Sequence, residues 1–183
     1  PEAEIVIGEN KFDSFRDTAA YSLFFKETKS VTVTASDAGS GIAKVEYLLS
    51  ETAFADKDAV TGEWTELTLT DGKASFAIEP NRKTYIFRIA PNQKAFVYVR
   101  ATDASGNVQV INTEGMVVYT DAEKETESAA FTMDTDTAPV YMLKMNGNSV
   151  YEVYNGAEKL TSTDYAAFLD GRFLLNNSYL RTL

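Results

Sequence analysis

The sequence of 183 residues contains neither cysteine nor histidine. Histidine is the commonest general acid or base and the commonest metal ligand, so its absence removes the usual form of both kinds of site. The absence of cysteine excludes a disulfide and any site built on a thiolate. Catalysis or metal binding would have to depend on carboxylates, hydroxyl groups, lysine and tyrosine.

Positive charge is also scarce, because 17 Lys and Arg stand against 27 Asp and Glu, for a net charge of −10. This balance argues against nucleic acid and anionic membranes as partners, since both bind clustered basic side chains. No apolar run approaches the roughly 20 residues that span a bilayer, so we expect no membrane insertion. Pro1 is not an initiator Met, and we expect any export signal to lie outside this chain. With 44% hydrophobic residues, the chain should fold.

Short segments of alternating apolar and polar residues run through the first two thirds of the chain, and turn residues separate them. SVTVTAS from Ser30 and the later KVEYLLS flank the turn sequence DAGSG, and a second pair flanks Asp71-Gly72. The segment AFVYVRATD is followed by a turn at Gly106-Asn107. Strands with turn signals at this spacing are typical of a β-sandwich. We predict an all-β fold with an immunoglobulin-like β-sandwich over residues 1–120, and a bulge at Gly115 in its last strand.

AFVYVRATD is the longest apolar strand of the prediction. Alternation assigns two sets of side chains to opposite faces of this strand: Phe96, Tyr98 and Arg100, and Val97, Val99 and Ala101. On the outer face, we expect the stem of Arg100 to cover Tyr98. The alternative is that its guanidinium binds a ligand carboxylate through two hydrogen bonds.

The composition changes abruptly at residues 121–128, DAEKETES, which hold four acids, one Lys and no large apolar residue. This is the composition of a solvated linker. Residues 129–183 again show short alternating segments, with hairpin turns predicted at Asn146-Gly147 and Asp170-Gly171. These 55 residues are few for an independent sandwich. We predict a second small β module, either complete or a truncated immunoglobulin-like one.

Two segments carry a resemblance to a known family: TVTASDAGSGIAKVEYLLS and, further along the chain, FVYVRATDASGNV. The shared pattern is an Asp-rich turn before a Val-x-Tyr strand, then a Tyr-x-Arg-Ala-x-Asp-x-x-Gly-Asn strand and turn. Residues 1–120 therefore resemble the bacterial immunoglobulin-like domains of cell-surface and secreted carbohydrate-active proteins of Gram-positive gut and soil bacteria. A sandwich without cysteine also fits a bacterial surface protein better than an animal one.

The second module resembles the first half of the small immunoglobulin-like modules that stand beside cellulosomal enzymes. The resemblance covers residues 138–183 and is carried by LKMNGNSVYEVYNGAEKLTSTDY and SYLRTL. In that family further strands follow the Tyr-Leu segment, whereas this sequence stops at Leu183. Together the two resemblances imply a spacer, display or accessory-binding role, and they assign no catalytic residue.

Two acidic turns are expected to meet at one end of an immunoglobulin-like sandwich, where the turns after the second and sixth strands emerge together. Asp37 in one turn, and Asp103 with Asn107 in the other, are candidate ligands for Ca²⁺. With Ser40, Ser105 and loop carbonyls they approach the oxygen-rich set, of about 6 to 8 ligands, that calcium takes. The simpler interpretation is that Asp and Asn cap their own turns, since the D-x-D-x-D spacing of a dedicated calcium loop is missing.

An aromatic platform for a sugar ring is the second candidate site, with Trp64, Tyr47 and Tyr85 as its residues and Phe87 beside them. A carbohydrate-binding module would stack a sugar ring on such side chains and hold it with nearby polar groups. The alternative is that these residues fill a sandwich core, and a single Trp in the sequence is a thin basis for a sugar platform.

No catalytic motif is present: the sequence lacks a G-x-S-x-G elbow, HExxH, a Walker loop and a dinucleotide fingerprint. Paired carboxylates can hydrolyse glycosides, but normally in a deep cleft on a larger scaffold. We therefore expect a non-catalytic spacer or presentation module, without a required cofactor, in a larger bacterial protein that is extracellular or attached to the cell wall. Its expected partners are the neighbouring domains of that protein. The alternatives are a carbohydrate-binding accessory module and a protein-adhesion module that binds a host or cell-surface protein through an unpaired strand edge.

Overall fold

The chain is almost entirely β-structure, as the alternation predicts. It divides into two compact units, Pro1–Tyr119 and Thr120–Leu183. The computed structural model describes residues 1–80, 82–83, 89–90, 92–132, 134, 137–168 and 170–183.

The first unit is built from short strands joined by tight turns. Its described strands begin with β1 (Glu2–Ile7), β2 (Asn10–Phe12), β3 (Tyr21–Lys26), β4 (Lys29–Ser36), β5 (Ile42–Ser50) and β6 (Thr65–Glu66). They continue with β7 (Lys73–Ile78), β8 (Arg82–Lys83), β9 (Ile89–Ala90), β10 (Gln93–Asp103), β11 (Val108–Asn112) and β12 (Gly115–Tyr119). The predicted strand Thr84–Ala90 lies outside the described residues except for its last two.

Two sheets form the sandwich of the first unit. One has the strand order β2-β1-β4-β7, with every neighbouring pair antiparallel. The other has the order β3-β12-β10-β5-β6, and β11 also pairs with β10. In this second sheet β3 runs parallel to β12, whereas β10 is antiparallel to β5, β11 and β12.

Apolar side chains of both sheets meet in one core, because strand alternation points every second residue inward. The first sheet contributes the fully buried Ile5, Ile7, Val31 and Val33, among others. The prediction that Val97, Val99 and Ala101 share one face is confirmed, since all three are fully buried in this core.

The opposite face of β10 is buried as well. Phe96 and Tyr98 lie there with Leu48 in a second apolar cluster, as alternation predicts for the two aromatic residues. The partly buried side chains that pack against this cluster are Phe15, Tyr21, Ala53, Phe54, Val60 and Trp64. The face predicted to be the outer one is therefore covered, chiefly by the connection between β5 and β6, which includes a 3₁₀ helix at Lys57–Ala59.

The last strand is interrupted at the predicted place. β11 pairs with the second half of β10, and the chain resumes at Gly115 as β12, which pairs with Gln93–Ala95. The register of β12 against β3 shifts between Gly115 and Met116. A Cβ atom at Gly115 would lie 2.6 Å from the backbone oxygen of Ala20 and 2.8 Å from Cζ of Phe96, so the close approach requires glycine.

The second unit is a smaller β-structure with a short C-terminal helix. Its described elements are β13 (Glu123–Lys124), β14 (Val140–Lys144), β15 (Tyr154–Asn155), β16 (Glu158–Lys159), β17 (Tyr165–Ala167), β18 (Arg172–Leu175) and α1 (Asn177–Leu180). One antiparallel sheet has the order β13-β14-β18-β17, and β15 and β16 form a separate hairpin. The acidic segment 121–128, predicted to be a linker, thus contributes β13 to this sheet. The turn Asp170-Gly171 joins two paired strands, as predicted, whereas Asn146-Gly147 is followed by a non-strand segment up to Tyr154.

Candidate functional site

The carboxylate of Asp37 caps its own turn. Asp37 follows the end of β4, and its Oδ2 accepts hydrogen bonds from the backbone N–H groups of Gly39 (2.9 Å) and Gly41 (3.0 Å). Gly41 has a φ of +81°, which glycine adopts without a steric penalty. The N-terminal ammonium of Pro1 is the largest influence that lowers the pKa of Asp37, and the bond from Gly41 adds to it.

Asp103 organises the second turn in the same way. Its Oδ1 accepts hydrogen bonds from the backbone N–H groups of Ser105 and Asn107, each at 2.9 Å. Its Oδ2 accepts a third, at 2.7 Å, from the side-chain amide of Asn107. The bond from the Asn107 side chain is the main cause that holds the pKa of Asp103 below its ordinary value. The predicted turn chemistry thus accounts for both Asp103 and Asn107.

The structure brings these two turns together at one end of the sandwich. The backbone N–H of Ala104 donates to the carbonyl of Gly41 (3.0 Å). The ammonium of Pro1 lies 3.1 Å from Oδ1 of Asp37 and 4.0 Å from Oδ2 of Asp103. The negative charge of Asp37 in turn works to raise the pKa of Asp103. The expected proximity of the two carboxylates is therefore present.

The turns themselves use most of the carboxylate oxygens of this site, and the calcium interpretation stays a prediction. Three of the four carboxylate oxygens of Asp37 and Asp103 already accept hydrogen bonds from their own turns. Calcium needs about 6 to 8 oxygen ligands. Within the described ranges of the chain, no group of three or more Asp, Glu, His or Cys could hold a metal ion.

Trp64 takes part in a network on the outer side of the second sheet. The guanidinium of Arg100 lies over its indole ring, 4.4 Å from the ring centroid. The same guanidinium binds the carboxylate of Glu46, whose other oxygen accepts from Lys44 at 2.7 Å. Arg100 thus covers Trp64, and the carboxylate that it binds belongs to the protein itself. One face of the indole ring is consequently occupied.

Tyr47 and Trp64 do not form one platform. Tyr47 stacks on Phe76, with ring centroids 3.9 Å apart and planes inclined by 15°, against the main core. Trp64 packs on the opposite side of the same sheet, against the second apolar cluster. The directly paired partner of Tyr47 is Thr65, so alternation turns the preceding Trp64 to the other face. The third predicted member, Tyr85, and its neighbour Phe87 lie outside the described residues.

An acidic cleft in the first unit was not predicted. It has a volume of about 710 Å³, and its lining includes Glu2, Glu4, Asp13, Asp71 and Gln109. The lining contains neither an aromatic side chain nor a Lys or Arg. It therefore offers no ring on which a sugar could stack. Glu2 and Glu4 lie on one strand, but Asp13 and Asp71 come from other segments, and local patterning could not have grouped all four acids.

The second unit has an apolar groove of about 410 Å³ that sequence reasoning also missed. Tyr141 and Leu143 of β14, and Phe173 and Leu175 of β18, contribute to its lining. The available signal was the run of consecutive apolar residues in VYMLK and in RFLL, which places apolar side chains on both faces of each strand. Such a run does not indicate whether a further layer covers either face.

Comparison with protein-family models and with curated proteins gave no match to this chain. Over the described part of the chain, no helix is both long and apolar enough to cross a membrane.

Proposed function

We infer that the chain is a non-catalytic spacer or presentation module of a larger bacterial protein that is extracellular or attached to the cell wall. The observation that carries this proposal is the placement of the first and last strands of the first unit. The two strands leave the sandwich at opposite ends.

The strand registers define these ends. β1 starts opposite the end of β4, because Glu2 pairs with Ser36. β12 finishes beside the start of β4, because Tyr119 pairs with Lys26 and its carbonyl accepts from the N–H of Glu27 (2.8 Å). The eight residues of β4 separate the two ends by about 26 Å. A polypeptide that enters at one end of a packed sandwich and leaves at the other holds its neighbours a fixed distance apart.

The sheet order supports an immunoglobulin-like topology for this spacer. In that topology one sheet contains the first, second and fifth strands, and the other contains the third, sixth and seventh. The ladders β1-β4-β7 and β5-β10-β11 follow the same order along the chain. β3, which follows β1 and β2 along the chain, pairs in parallel with β12 and so extends the edge of the second sheet.

The internal use of the candidate polar residues also supports a structural role. Asp37 and Asp103 are occupied by their own turns, and Arg100 is bound by Glu46 and Trp64. Side chains that are satisfied within the fold hold a module rigid, and they leave few groups for a ligand.

Spin labels at the two ends of β4 test the rigidity that the proposal requires. The protein has no native cysteine, so Thr28→Cys and Ala38→Cys, both at exposed positions, can be labelled selectively. We expect one narrow distance distribution centred at about 30 Å by double electron–electron resonance. A broad or multiple distribution would contradict a rigid spacer.

A glycan array separates this role from a carbohydrate-binding one. We expect no reproducible binding by the intact protein. Binding that disappears in Trp64→Ala but persists in Tyr47→Ala would overturn the spacer proposal in favour of a sugar site on the exposed side of the indole ring.

A further inference from the structure

The sequence contains two Asn-Gly pairs, Asn146-Gly147 and Asn155-Gly156, and both lie in the second unit. In such a pair the backbone nitrogen of glycine can attack the side-chain carbonyl carbon of the asparagine before it. The reacting groups belong to one short segment, and glycine has no Cβ atom to obstruct the approach. Asparagine is one of the thermally labile residues of proteins. The two pairs share a sequence but have different surroundings, so the structure distinguishes them.

The side chain of Asn146 is held in place by hydrogen bonds. Its Nδ2 atom donates to the carbonyl of Asp121 (2.8 Å) and to Oε1 of Glu123 (3.2 Å). In the same turn, Nδ2 of Asn148 donates to the carbonyl of Thr120 (2.6 Å). These bonds tie the turn to the segment that leads into β13. The amide of Asn146 must break its two bonds before its carbonyl carbon can reach the following backbone nitrogen.

Asn155 lies at the exposed tip of the hairpin β15–β16. It pairs with Glu158, and Gly156 in the turn between them has a φ of +59°. Within the described part of the chain, neither the side chain of Asn155 nor the backbone N–H of Gly156 has a hydrogen-bond partner. The hairpin consists of two residue pairs, and all its strand residues are exposed. A ladder this short opens at little cost, and its opening gives Asn155 the backbone freedom that ring closure requires.

We propose that Asn155 is a site of spontaneous modification, at which the protein converts its own amide to a carboxylate. The nitrogen of Gly156 bonds to Cγ of Asn155, and the side-chain amide leaves as ammonia with the proton that this nitrogen releases. Water then adds to one of the two carbonyls of the cyclic imide and breaks its bond to the nitrogen. Aspartate results if the new bond breaks, and isoaspartate results if the original peptide bond breaks. This modification goes beyond the spacer role and does not depend on it.

Either product should weaken the hairpin. Aspartate in place of Asn155 puts a carboxylate directly opposite Glu158, and like charges in a cross-strand pair are destabilising. Isoaspartate adds a carbon to the main chain, which breaks the register of the pair. Directly after β16, the N–H of Leu160 donates to the carbonyl of Val153 (2.9 Å). Leu160 is the one buried hydrophobic residue among the described residues of this unit, so a weaker hairpin loosens its anchor.

Peptide mapping by mass spectrometry tests the proposal, after incubation of the intact protein at physiological temperature and mildly alkaline pH. Asn146 is the internal control, because its two hydrogen bonds must break first. We expect conversion of Asn155 to be at least about tenfold faster than that of Asn146 in the native protein, and the two rates to agree within about threefold in urea. No conversion of Asn155, or equal conversion of both in the native protein, would overturn the proposal. The same ratio of rates in the native and the unfolded protein would overturn the structural basis of the selectivity.

Two variants connect the modification to its effect on the hairpin. Asn155→Gln keeps the amide but has a longer side chain, so its ring is larger and we expect no conversion while the native protein is converted. Asn155→Asp supplies the aspartate product at once. We expect amide hydrogen exchange at Leu160 to be about two- to fivefold faster in Asn155→Asp, and to rise on incubation of the native protein but not of Asn155→Gln. Unchanged exchange in both Asn155→Asp and the incubated native protein would overturn the proposed effect.

Discussion

Arg100 and Glu46 stand directly opposite each other on β10 and β5, and the guanidinium binds a single carboxylate oxygen through both Nε (2.8 Å) and Nη2 (2.7 Å). The Glu46 side chain is 7% exposed, and Lys44 binds its second oxygen. A carboxylate can be buried on this face because two cations compensate its charge.

Protonation of the Glu46 carboxylate at low pH should lower the free energy of unfolding of the first unit. Burial works to raise the pKa of Glu46, but hydrogen bonds from Lys44 and Arg100 outweigh it and hold the pKa below its ordinary value of 4.5. A lowered pKa in the folded state contributes stability above the ordinary pKa, and that stability is lost as the pH falls through the lowered one. We expect Glu46→Gln to unfold about 1 to 2 kcal/mol more easily at pH 7 and to lose less of its stability on acidification to pH 3. Urea titrations at pH 7 and pH 3 measure the free energy of unfolding of the native protein and of Glu46→Gln. The same loss of stability between the two pH values in both proteins would contradict the prediction.

Tyr98→Phe should loosen the segment that covers the second apolar cluster. The Tyr98 hydroxyl is fully buried and accepts the backbone N–H of Phe54 (2.9 Å). Removing it leaves that N–H without its partner, so we expect a loss of about 1 to 2 kcal/mol. Hydrogen exchange should show faster exchange at the Phe54 amide. Tyr151→Phe, at an exposed position, is the control and should change neither quantity.

Gly115→Ala should destabilise the first unit strongly. A Cβ atom there meets a backbone oxygen and the buried ring of Phe96, neither of which can move freely. We expect a loss of about 2 to 3 kcal/mol by chemical denaturation. Gly39→Ala is the matched control, because its Cβ would meet only Oδ2 of Asp37, at 3.6 Å, and should cost less than about 0.5 kcal/mol. Equal losses in the two variants would show that the close approach at Gly115 is not a constraint.

The two units should unfold in separate transitions, the second unit first. A unit with one buried hydrophobic residue among its described residues has little to oppose the entropy of unfolding, whereas the first unit has a closed core. Ile111→Ala should therefore lower the midpoint of the later transition by the equivalent of about 2 to 4 kcal/mol and leave the earlier one unchanged. Hydrogen exchange assigns each transition to its residues. A single cooperative transition that Ile111→Ala shifts as a whole would contradict separate unfolding.

Calcium should leave the melting temperature unchanged. The carboxylates of Asp37 and Asp103 already accept hydrogen bonds from their own turns, so a cation would have to compete with these bonds for the same oxygen atoms. Differential scanning calorimetry with and without millimolar calcium checks this. A clear rise that Asp103→Asn abolishes would restore the calcium interpretation.

The sequence by itself determined the local structure of the first unit. Period-two alternation placed Val97, Val99 and Ala101 on one face of a strand, and glycine and acidic residues placed the turns at Asp37 and Asp103. These features depend on neighbouring residues alone, because side-chain direction along a strand and the φ angle of a turn are local properties.

Only the tertiary structure decided what each face meets. Alternation assigned Phe96, Tyr98 and Arg100 to one face, but the residues that cover it come from distant segments. The separation of Tyr47 from Trp64 likewise depends on the register of β5 with β6. Register and coverage are set by contacts between residues far apart in the chain, and a pattern read along one strand contains no information about its neighbours.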